Sequence, residues 1–396
     1  MDNQGTLKWR FDVSTFRLIG RDLITDRITA LFELVKNCYD ANAQIVNVIF
    51  KNVAVGETDA VITIEDDGFG MSFEDIRDKW MVIGTSSKRK DPYTPEPFSR
   101  KCVGEKGIGR FAVDKLGDKV AIITKKAGEK EWLNVEIDWA AYYSSQNDEG
   151  MTLFTDIENQ YKFTPCEDVS VSGTILIISD VREAWTNNDI ERFISEASKI
   201  VSPYANLSYP FQVKVQAPSY GIDTVATRNQ DDVNIATVSF SLGYDNEAGT
   251  QDAVHFDNKS NTMVVAPAPL KSFGGINMKV FYFDDTARRR YRKEFPNNEI
   301  DGIKIYRDGI ITTPFAESKK KDDEKRDVLG IDKRIWENIF DRVSSREIIG
   351  IVEIKKKDNP AIIDATNRQD FVDNEEYREL KHYIITQLDA IENYKK

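Results

Sequence analysis

Apolar and polar residues follow helical and strand-like spacings in the first half of the chain. Leu31, Leu34, Val35 and Cys38 can pack behind one face of a helix, which places a helix around residues 31–43. Further elements follow: a strand of apolar and β-branched residues at 61–64, an apolar helix-compatible stretch at 111–116, a buried strand at 173–179, an amphipathic helix at 189–201 and a strand at 211–215.

The second half of the chain reads as a separate α/β domain. Polar and turn residues dominate 217–234, which predicts a linker at 217–235 between domains at 1–216 and 236–396. Strand-like runs occur at 237–242, 263–266, 278–283, 303–311 and 348–354. A helix at 375–394 carries apolar residues at helical spacing, which are typical of a core-facing stripe.

Composition favours an ordinary globular protein. The chain has 396 residues, 40% of them hydrophobic, which is enough for two or three domains. No basic and apolar leader and no apolar run of about 18 residues is present, so we expect a cytoplasmic protein with no membrane partner. The three cysteines have no paired spacing, which argues against a zinc knuckle or disulfide framework.

Net charge argues against nucleic-acid binding by the whole surface, because the formal charge is −12. Basic clusters are nevertheless present, and most such clusters are solvated faces. The cluster at 288–293 is the one with an interleaved aromatic residue, Tyr291, which would suit a surface that follows a nucleic-acid backbone.

Three polar residues on the first helix carry candidate chemistry. Glu33, Asn37 and Asp40 stand at positions i, i+4 and i+7, so they share one helical face. Asn37 can offer an oxygen to Mg²⁺, and Glu33 can act as a base toward water. Alone, such a stripe is more typical of a solvated helix face.

A glycine-punctuated loop follows the strand at 61–64. Asp66, Gly68 and Gly70 form an Asp-x-Gly-x-Gly turn in which the carboxylate could accept a hydrogen bond from an exocyclic amine such as that of adenine. Met71 could supply an apolar wall for a base. The alternative is an ordinary acidic turn.

A second glycine loop precedes the stretch at 111–116. Gly104, Gly107 and Gly109 would leave backbone N–H groups free for an anion, and Lys106 adds positive charge. No strand leads into this loop, which excludes a Rossmann fingerprint, and no Lys-Ser/Thr follows, which excludes a Walker A loop. Thr174, at the start of the strand at 173–179, could reach a base through water or could be a plain strand residue.

In this order the polar helix face, the two glycine loops and the strand that begins near Thr174 resemble the GHKL superfamily, the ATPases with the Bergerat ATP-binding fold. The resemblance covers residues 14–215. The resemblance implies an α+β fold: a Bergerat-type α/β sandwich that binds ATP, followed by a βαβ transducer domain. It implies that Glu33 is the general base, Asn37 the Mg²⁺ ligand, Asp40 a support of the same helix face and Asp66 the adenine-reading residue. The remaining nucleotide contacts that it implies are Gly68, Gly70, Met71, Thr85, Lys88, Gly104, Lys106, Gly107, Ile108, Gly109, Arg110 and Thr174.

Within the superfamily, the glycine loops resemble those of microrchidia-type and related prokaryotic ATPases, with heat-shock chaperones and MutL-type proteins more distant. Domain order disfavours a sensor histidine kinase, since His255 and His382 both follow the predicted ATP module. The segment 80–88 resembles the mobile part of a lid over the phosphates.

The segment 360–371 resembles the transducer loop that carries a basic residue to the γ-phosphate. Arg368 occupies that place, and its planar fork suits phosphate oxygens. Alternatively Arg368 caps the next helix or pairs with Asp370, and the lysines at 355–357 are a second candidate for the phosphate contact.

The resemblance predicts a slow, Mg²⁺-dependent ATPase that uses ATP to switch conformation. It implies closure of the lid at 88–109, an ATP-dependent homodimer and action on DNA or a DNA-bound complex. A protein-remodelling chaperone and a nucleotide-binding regulatory module with little hydrolysis are the alternatives. The N-terminal residues Leu7, Trp9 and Phe11 alternate like a strand that could exchange between protomers or fold back on its own sheet. The chain ends at Lys396 without a further domain, so we expect either a fragment or a protein that assembles through ATP-driven pairing alone.

Overall fold

The structure of the chain is a computed structural model. It describes residues 12, 24, 26–83, 93–100, 102, 112–144, 153, 156–203, 209–226, 230–256, 261–296, 298–316, 327, 329–335, 342–363 and 371–395. The chain divides into two compact units. The first comprises Met1–Ser198 and Ser208–Thr227, and the second comprises Lys199–Leu207 and Arg228–Lys396.

The first unit is built on an eight-stranded sheet with the order β5-β4-β3-β6-β2-β1-β7-β8. Its strands are β1 (Ile45–Lys51), β2 (Val61–Asp66), β3 (Gly117–Lys125), β4 (Glu131–Asp138), β5 (Gln160–Pro165), β6 (Gly173–Val181), β7 (Gln212–Ala217) and β8 (Ile222–Val225). Neighbours are antiparallel except β1 and β7, which are parallel. The sheet is therefore mixed but mostly antiparallel, which is typical of an α+β fold.

Helices cover one face of this sheet. They are α1 (Arg27–Asp40), α2 (Phe73–Asp75) continued by a π-helix (Ile76–Trp80), α3 (Ala112–Leu116), α4 (Trp139–Ser144) and α5 (Asn187–Ala197), with a 3-10 turn at Pro218–Tyr220. α1 contacts α3, α5 and β2. Phe50 of β1 is fully buried and packs against Phe193 of α5, with ring centroids 6.1 Å apart. Burial of such a side chain contributes about 1.5–3 kcal/mol to the stability of the helix-on-sheet core.

The second unit contains a seven-stranded sheet with the order β11-β10-β9-β12-β15-β13-β14. Its strands are β9 (Val238–Asp245), β10 (Thr250–Phe256), β11 (Asn261–Pro267), β12 (Ile276–Tyr282), β13 (Gly302–Arg307), β14 (Ile310–Ala316) and β15 (Ile348–Ile354). Its helices are α6 (Asp285–Glu294), α7 (Ile331–Ile335), α8 (Glu375–Gln387) and α9 (Asp389–Lys395), with 3-10 turns at Gln230–Ile235 and Ser345–Glu347. β13 and β15 are parallel and all other described pairs are antiparallel. Within the described part of the chain, no helix has the length and apolar character that crossing a bilayer requires.

A buried carboxylate anchors the C-terminal helix of the second unit. Glu392 of α9 is 4% exposed and accepts from the guanidinium groups of Arg334 and Arg342 and, at 3.3 Å, from the backbone N–H of Val343. The apolar face of α8 supplies Leu380 and Ile384, both fully buried, to the core of the same unit. The helical stripe predicted near the C-terminus is therefore a core stripe.

The α+β fold predicted from the sequence is confirmed, and most predicted elements are present within a few residues. The prediction of a single strand at 303–311 is wrong, because β13 and β14 form a hairpin there. Asp308 and Gly309 both have positive φ, 52° and 85°, which forms the tight two-residue turn. β10 was not predicted, and the helix at 375–394 is interrupted at Leu388. The range 217–235 also contains β8, which pairs with β7.

The structure corrects the interpretation of the basic cluster at 288–293. Tyr291 does not lie on the surface, because it is 1% exposed and its hydroxyl donates to Asp232 at 3.0 Å. Arg288 pairs with Asp285 and Arg290 with Glu294 along α6. The tyrosine is thus the core residue of an amphipathic helix rather than part of a surface that follows a nucleic-acid backbone.

Candidate functional site

Helix α1 carries the three polar residues predicted to act together. It begins after Asp26, whose carboxylate accepts from the backbone N–H groups of Ile28 and Thr29 at 2.9 and 3.0 Å. Glu33 and Asp40 are buried, at 8% and 4% exposure, while Asn37 between them is partly exposed. The helical face is therefore inside the fold, which excludes the solvated-face interpretation.

A lysine on the same helix contacts the predicted base. Lys36 Nζ lies 3.3 Å from Glu33 Oε1, and the Lys36 side chain is itself buried. A charge pair with so little exposure is less screened than a surface pair. The sequence analysis missed Lys36, although its i+3 spacing from Glu33 was a visible signal.

The backbone at the end of α1 contacts the backbone of the first glycine loop, residues 66–70. The Phe69 N–H donates to the Ala41 carbonyl at 2.8 Å. A Cβ atom on Gly68 would lie 2.3 Å from the same oxygen, and one on Gly70, whose φ is +65°, would lie 2.0 Å from the Lys125 carbonyl oxygen. The two glycines allow the loop after β2 to pack between α1 and β3, beside the helix face described above.

Asp66 ends β2 with its carboxylate among hydrogen-bond donors. Burial raises the pKa of Asp66 to about 7, although hydrogen bonds from the Gly68 N–H, the Cys38 thiol and the Thr174 N–H oppose the shift. The Gly68 bond measures 2.9 Å. Burial and the nearby Asp66 carboxylate also raise the pKa of the Cys38 thiol, so the thiol stays protonated and can donate. Asp66 is thus a partly buried acceptor whose ionisation lies near neutral pH.

The neighbouring carboxylate has a different role. Asp67 Oδ1 accepts from the backbone N–H groups of Gln44 and Ile45 at 2.7 and 2.9 Å. These bonds hold the connection between α1 and β1 to the loop. The structure therefore separates a structural aspartate, Asp67, from the candidate ligand-reading aspartate, Asp66.

Thr174 lies beside Asp66 in a row of polar side chains across three strands. Asp66 of β2 is the cross-strand neighbour of Thr174 of β6, which is in turn the neighbour of Thr124 of β3. Thr124 is fully buried and its hydroxyl lies 3.0 Å from that of Thr174. The sequence analysis missed Thr124, because only the strand pairing places it next to Thr174.

The segment at 93–100 is attached to the end of α1. Arg100 is buried at 7% exposure and donates to the carbonyls of Ala43 at 2.5 Å and Pro210 at 3.0 Å. Asn42 Nδ2 donates to the Pro95 carbonyl at 3.0 Å. A stretch in the middle of the predicted lid is therefore anchored to the helix that carries Glu33.

The other predicted site residues lie outside the described residues. They are Thr85, Lys88, Gly104, Lys106, Gly107, Ile108, Gly109, Arg110 and Arg368. The described helix α3, which begins at Ala112, agrees with the helix-compatible stretch predicted after the second glycine loop.

Comparison with known families decides the class. A family model described as "Histidine kinase-, DNA gyrase B-, and HSP90-like ATPase" matches residues 25–171, which include α1, both glycine loops and β3. This region belongs to the GHKL ATPase superfamily. The superfamily predicted from the sequence is thereby confirmed for the first unit, where Asp66 and the face of α1 lie.

Curated relatives match parts of this chain at low identity. "Putative type II restriction enzyme HgiDII" of Herpetosiphon aurantiacus is 29% identical over 118 residues, 30% of this chain and 18% of that protein. "Chaperone protein HtpG" of Rhodococcus jostii is 27% identical over 148 residues, 32% of this chain and 23% of that protein. HtpG of Sulfurovum sp. is 23% identical over 202 residues, 48% of this chain and 28% of that protein. The matches therefore span less than a third of each of these relatives.

The described residues fit the ligands of a GHKL ATPase. The Asp66 carboxylate, with Gly68 close beside it, could accept a hydrogen bond from an amino-substituted base. Among the described residues no group of three or more histidine, cysteine or carboxylate side chains could hold a metal ion. A cation near Asn37 would thus rely on phosphate and water oxygens, which is the way Mg²⁺ is usually bound with nucleotides.

Proposed function

We propose that the first unit binds ATP with Mg²⁺ and hydrolyses it slowly to drive a change of conformation. The observation that supports this most strongly is the position of Asp66, a partly buried acceptor beside Gly68, Gly70 and Thr174. Its carboxylate would accept from the adenine amino group. A base seated there lies beside the end of α1, because Gly68 packs against Ala41.

Helix α1 would provide the hydrolytic groups. Glu33 would take a proton from the attacking water, which requires its carboxylate to be ionised, and the Lys36 ammonium stabilises that ionised form. Asn37 would hold Mg²⁺, which supplies positive charge to the phosphates, and Asp40 would support the same face. Low turnover is part of the proposal on the basis of the resemblance to the superfamily.

The second glycine loop and the second unit complete the proposed switch. Residues 104–110 with Thr85 and Lys88 would cover the phosphates, and Arg368 would sense the γ-phosphate. A γ-phosphate contact made only in one conformation is what allows ATP to shift an equilibrium between two states. Two copies would pair when ATP is bound, which we base on the resemblance to the superfamily.

The proposed target is DNA or a DNA-bound complex, supported by the outer face of α6. Arg289, Arg292 and Lys293 are exposed there, whereas Arg288 and Arg290 pair within the helix. Neutralising those three exposed residues should abolish salt-sensitive DNA binding. The HtpG relatives favour a second candidate, a protein-remodelling ATPase, which gains support if DNA has no effect and a protein client stimulates hydrolysis.

The proposal is tested by phosphate release from ATP with and without Mg²⁺. We expect slow turnover by the wild type and a loss of about 10²-fold or more in Glu33→Ala, with ATP binding retained. Glu191→Ala is the matched control, since Glu191 is an exposed glutamate on α5 that contacts Asn187. A wild type that binds no ATP would overturn the proposal. Full activity of Glu33→Ala would remove Glu33 as the base and leave nucleotide binding standing.

A further inference from the structure

The Thr124 hydroxyl has three close polar neighbours and no exposure to solvent. It lies 2.9 Å from the backbone nitrogen of Met71, 3.1 Å from the Gly173 carbonyl oxygen and 3.0 Å from the Thr174 hydroxyl. A hydroxyl in such a place has to satisfy its neighbours without help from water.

The directions of these three hydrogen bonds can be assigned by counting hydrogens. The Met71 N–H can only donate and the Gly173 carbonyl can only accept, so Thr124 accepts from the first and donates its single hydrogen to the second. The third contact is then a hydrogen bond only if the Thr174 hydroxyl donates to Thr124. The opposite assignment leaves two oxygens, those of Thr124 and Gly173, 3.1 Å apart with no hydrogen between them.

This assignment fixes what Thr174 offers to a ligand. Thr174 retains 8% exposure and lies in register with Asp66 on one side and Thr124 on the other. Residues directly opposite each other on neighbouring strands point to the same face of the sheet. With its hydrogen directed to Thr124, Thr174 presents only lone pairs beside the Asp66 carboxylate, so the row offers two acceptors.

We infer that Thr124 is a positioning residue that sets the selectivity of the site for a 6-aminopurine over a 6-oxopurine, an inference that rests on the proposed nucleotide binding. A 6-amino group brings two N–H donors to a pair of acceptors. A 6-oxo group brings a further acceptor, which leaves buried polar groups unpaired, and sites of this kind discriminate strongly. Thr124 acts through Thr174 and does not contact the base.

The test compares ATP with ITP, which differ in the 6-substituent, by calorimetric titration of the full chain at pH 8. We expect the wild type to bind ATP at least 100-fold more tightly than ITP. In Thr124→Val, Thr174 is free to donate, so this ratio should fall at least tenfold. Thr124→Ser, which keeps the hydroxyl, should restore the wild-type ratio. A merely structural role for Thr124 would weaken both nucleotides and leave the ratio unchanged.

Each result separates this inference from the proposed function. ATP binding by the wild type with the same ATP-to-ITP ratio in Thr124→Val would overturn the role of Thr124 alone. No ATP binding by the wild type would overturn the proposed function and, with it, the inference. Should Thr124→Val not fold, Thr124→Cys makes the same comparison, because the thiol is a weaker hydrogen-bond donor of similar size.

Discussion

The guanidinium of Arg100 donates to the carbonyl of Ala43, and this bond ties the middle of the predicted lid to the connection between helix α1 and β1. Arg100 also lies over the ring of Tyr39, 4.6 Å from its centroid, and donates to Pro210. Cations near a helix C-terminus are favourable, and the planar fork serves several carbonyls at once. The lid proposed for 88–109 therefore contains an anchored stretch at 93–100.

Replacing Arg100 should weaken both the fold and nucleotide binding. Arg100→Met leaves the Ala43 and Pro210 carbonyls without their donor, which we expect to destabilise the first unit by roughly 2–4 kcal/mol. Arg100→Lys keeps the charge but not the fork, so its loss should be smaller. Urea unfolding measures the stability and calorimetry the ATP affinity. Equal stability of Arg100→Met and wild type would contradict the anchoring role.

A methyl group at Gly70 should be far more damaging than one at Gly128. Both glycines have positive φ, but a Cβ atom on Gly70 would lie 2.0 Å from the Lys125 carbonyl oxygen, whereas one on Gly128 meets nothing within 4 Å. Gly128→Ala carries only the backbone strain of about 1 kcal/mol. We expect Gly70→Ala to lose at least twice that stability and to lose ATP binding. Thermal melting and titration of both variants check this, and similar behaviour of the two would refute the close approach.

The first helix face could be predicted because its information is local. Glu33, Asn37 and Asp40 lie within two turns, so their spacing alone places them together, and β-branched residues and glycines mark the strand and turn at Asp66. The catalytic and ligand-binding roles of these residues are still predictions. The structure adds where they lie and what surrounds them.

The missed residues depend on pairing between distant parts of the chain. Thr124 becomes a neighbour of Thr174 only through the register of β3 with β6, 50 residues apart. Arg100 reaches Ala43 across 57 residues. Tyr291 was wrongly predicted to lie on the surface, because its sequence neighbours are basic and the sequence does not show that this residue faces the core. Local pattern contains none of this information.

Removal of the buried carboxylate at Glu392 should destabilise the second unit. Glu392→Ala removes the carboxylate partner of Arg334 and one of the two carboxylate partners of Arg342, which also pairs with Asp389. Loss of one partner from a buried ion pair typically costs about 3–5 kcal/mol. Asp373→Ala is the matched control, because Asp373 pairs with Arg378 at the surface, where both side chains are more than 60% exposed. We expect no measurable change in that control. Unfolding by denaturant measures the stability of both variants. Equal losses of stability in Glu392→Ala and Asp373→Ala would show that Glu392 is not a buried anchor.

Asp66→Asn should abolish ATP binding while Asp67→Asn should not. The Asp66 carboxylate faces three donors, from Gly68, Cys38 and Thr174. Asparagine replaces one carboxylate oxygen with an NH₂ group, which would face a donor instead of accepting from it and would leave the base without a second acceptor. Asp67 accepts both of its bonds on one oxygen, which an asparagine carbonyl can replace. Calorimetric titration with ATP measures both variants. Unchanged affinity in Asp66→Asn would remove Asp66 from the adenine site.

ATP affinity should fall as the pH is lowered through about 7. Burial raises the pKa of Asp66 to about 7, and we expect only the ionised carboxylate to accept from the adenine amino group. One pH unit below that pKa about a tenth of the sites are ionised, so binding at pH 6 should be about tenfold weaker than at pH 8, with protons released on binding.

The raised pKa of Asp66 changes the stability of the fold with pH in the opposite direction to the lowered pKa of a salt-bridged aspartate. Because the folded pKa is higher than the unfolded value of 3.8, the folded protein holds the proton more tightly, and this residue's contribution to stability declines as the pH rises from about 4 to about 7. ATP should therefore stabilise the protein more at pH 8 than at pH 6 in thermal melting. Asp67→Asn, which removes a neighbouring charge that raises the pKa of Asp66, should move the midpoint of the binding profile to lower pH. A binding profile that is flat between pH 6 and pH 8 would show that ionisation of Asp66 does not control recognition of the nucleotide.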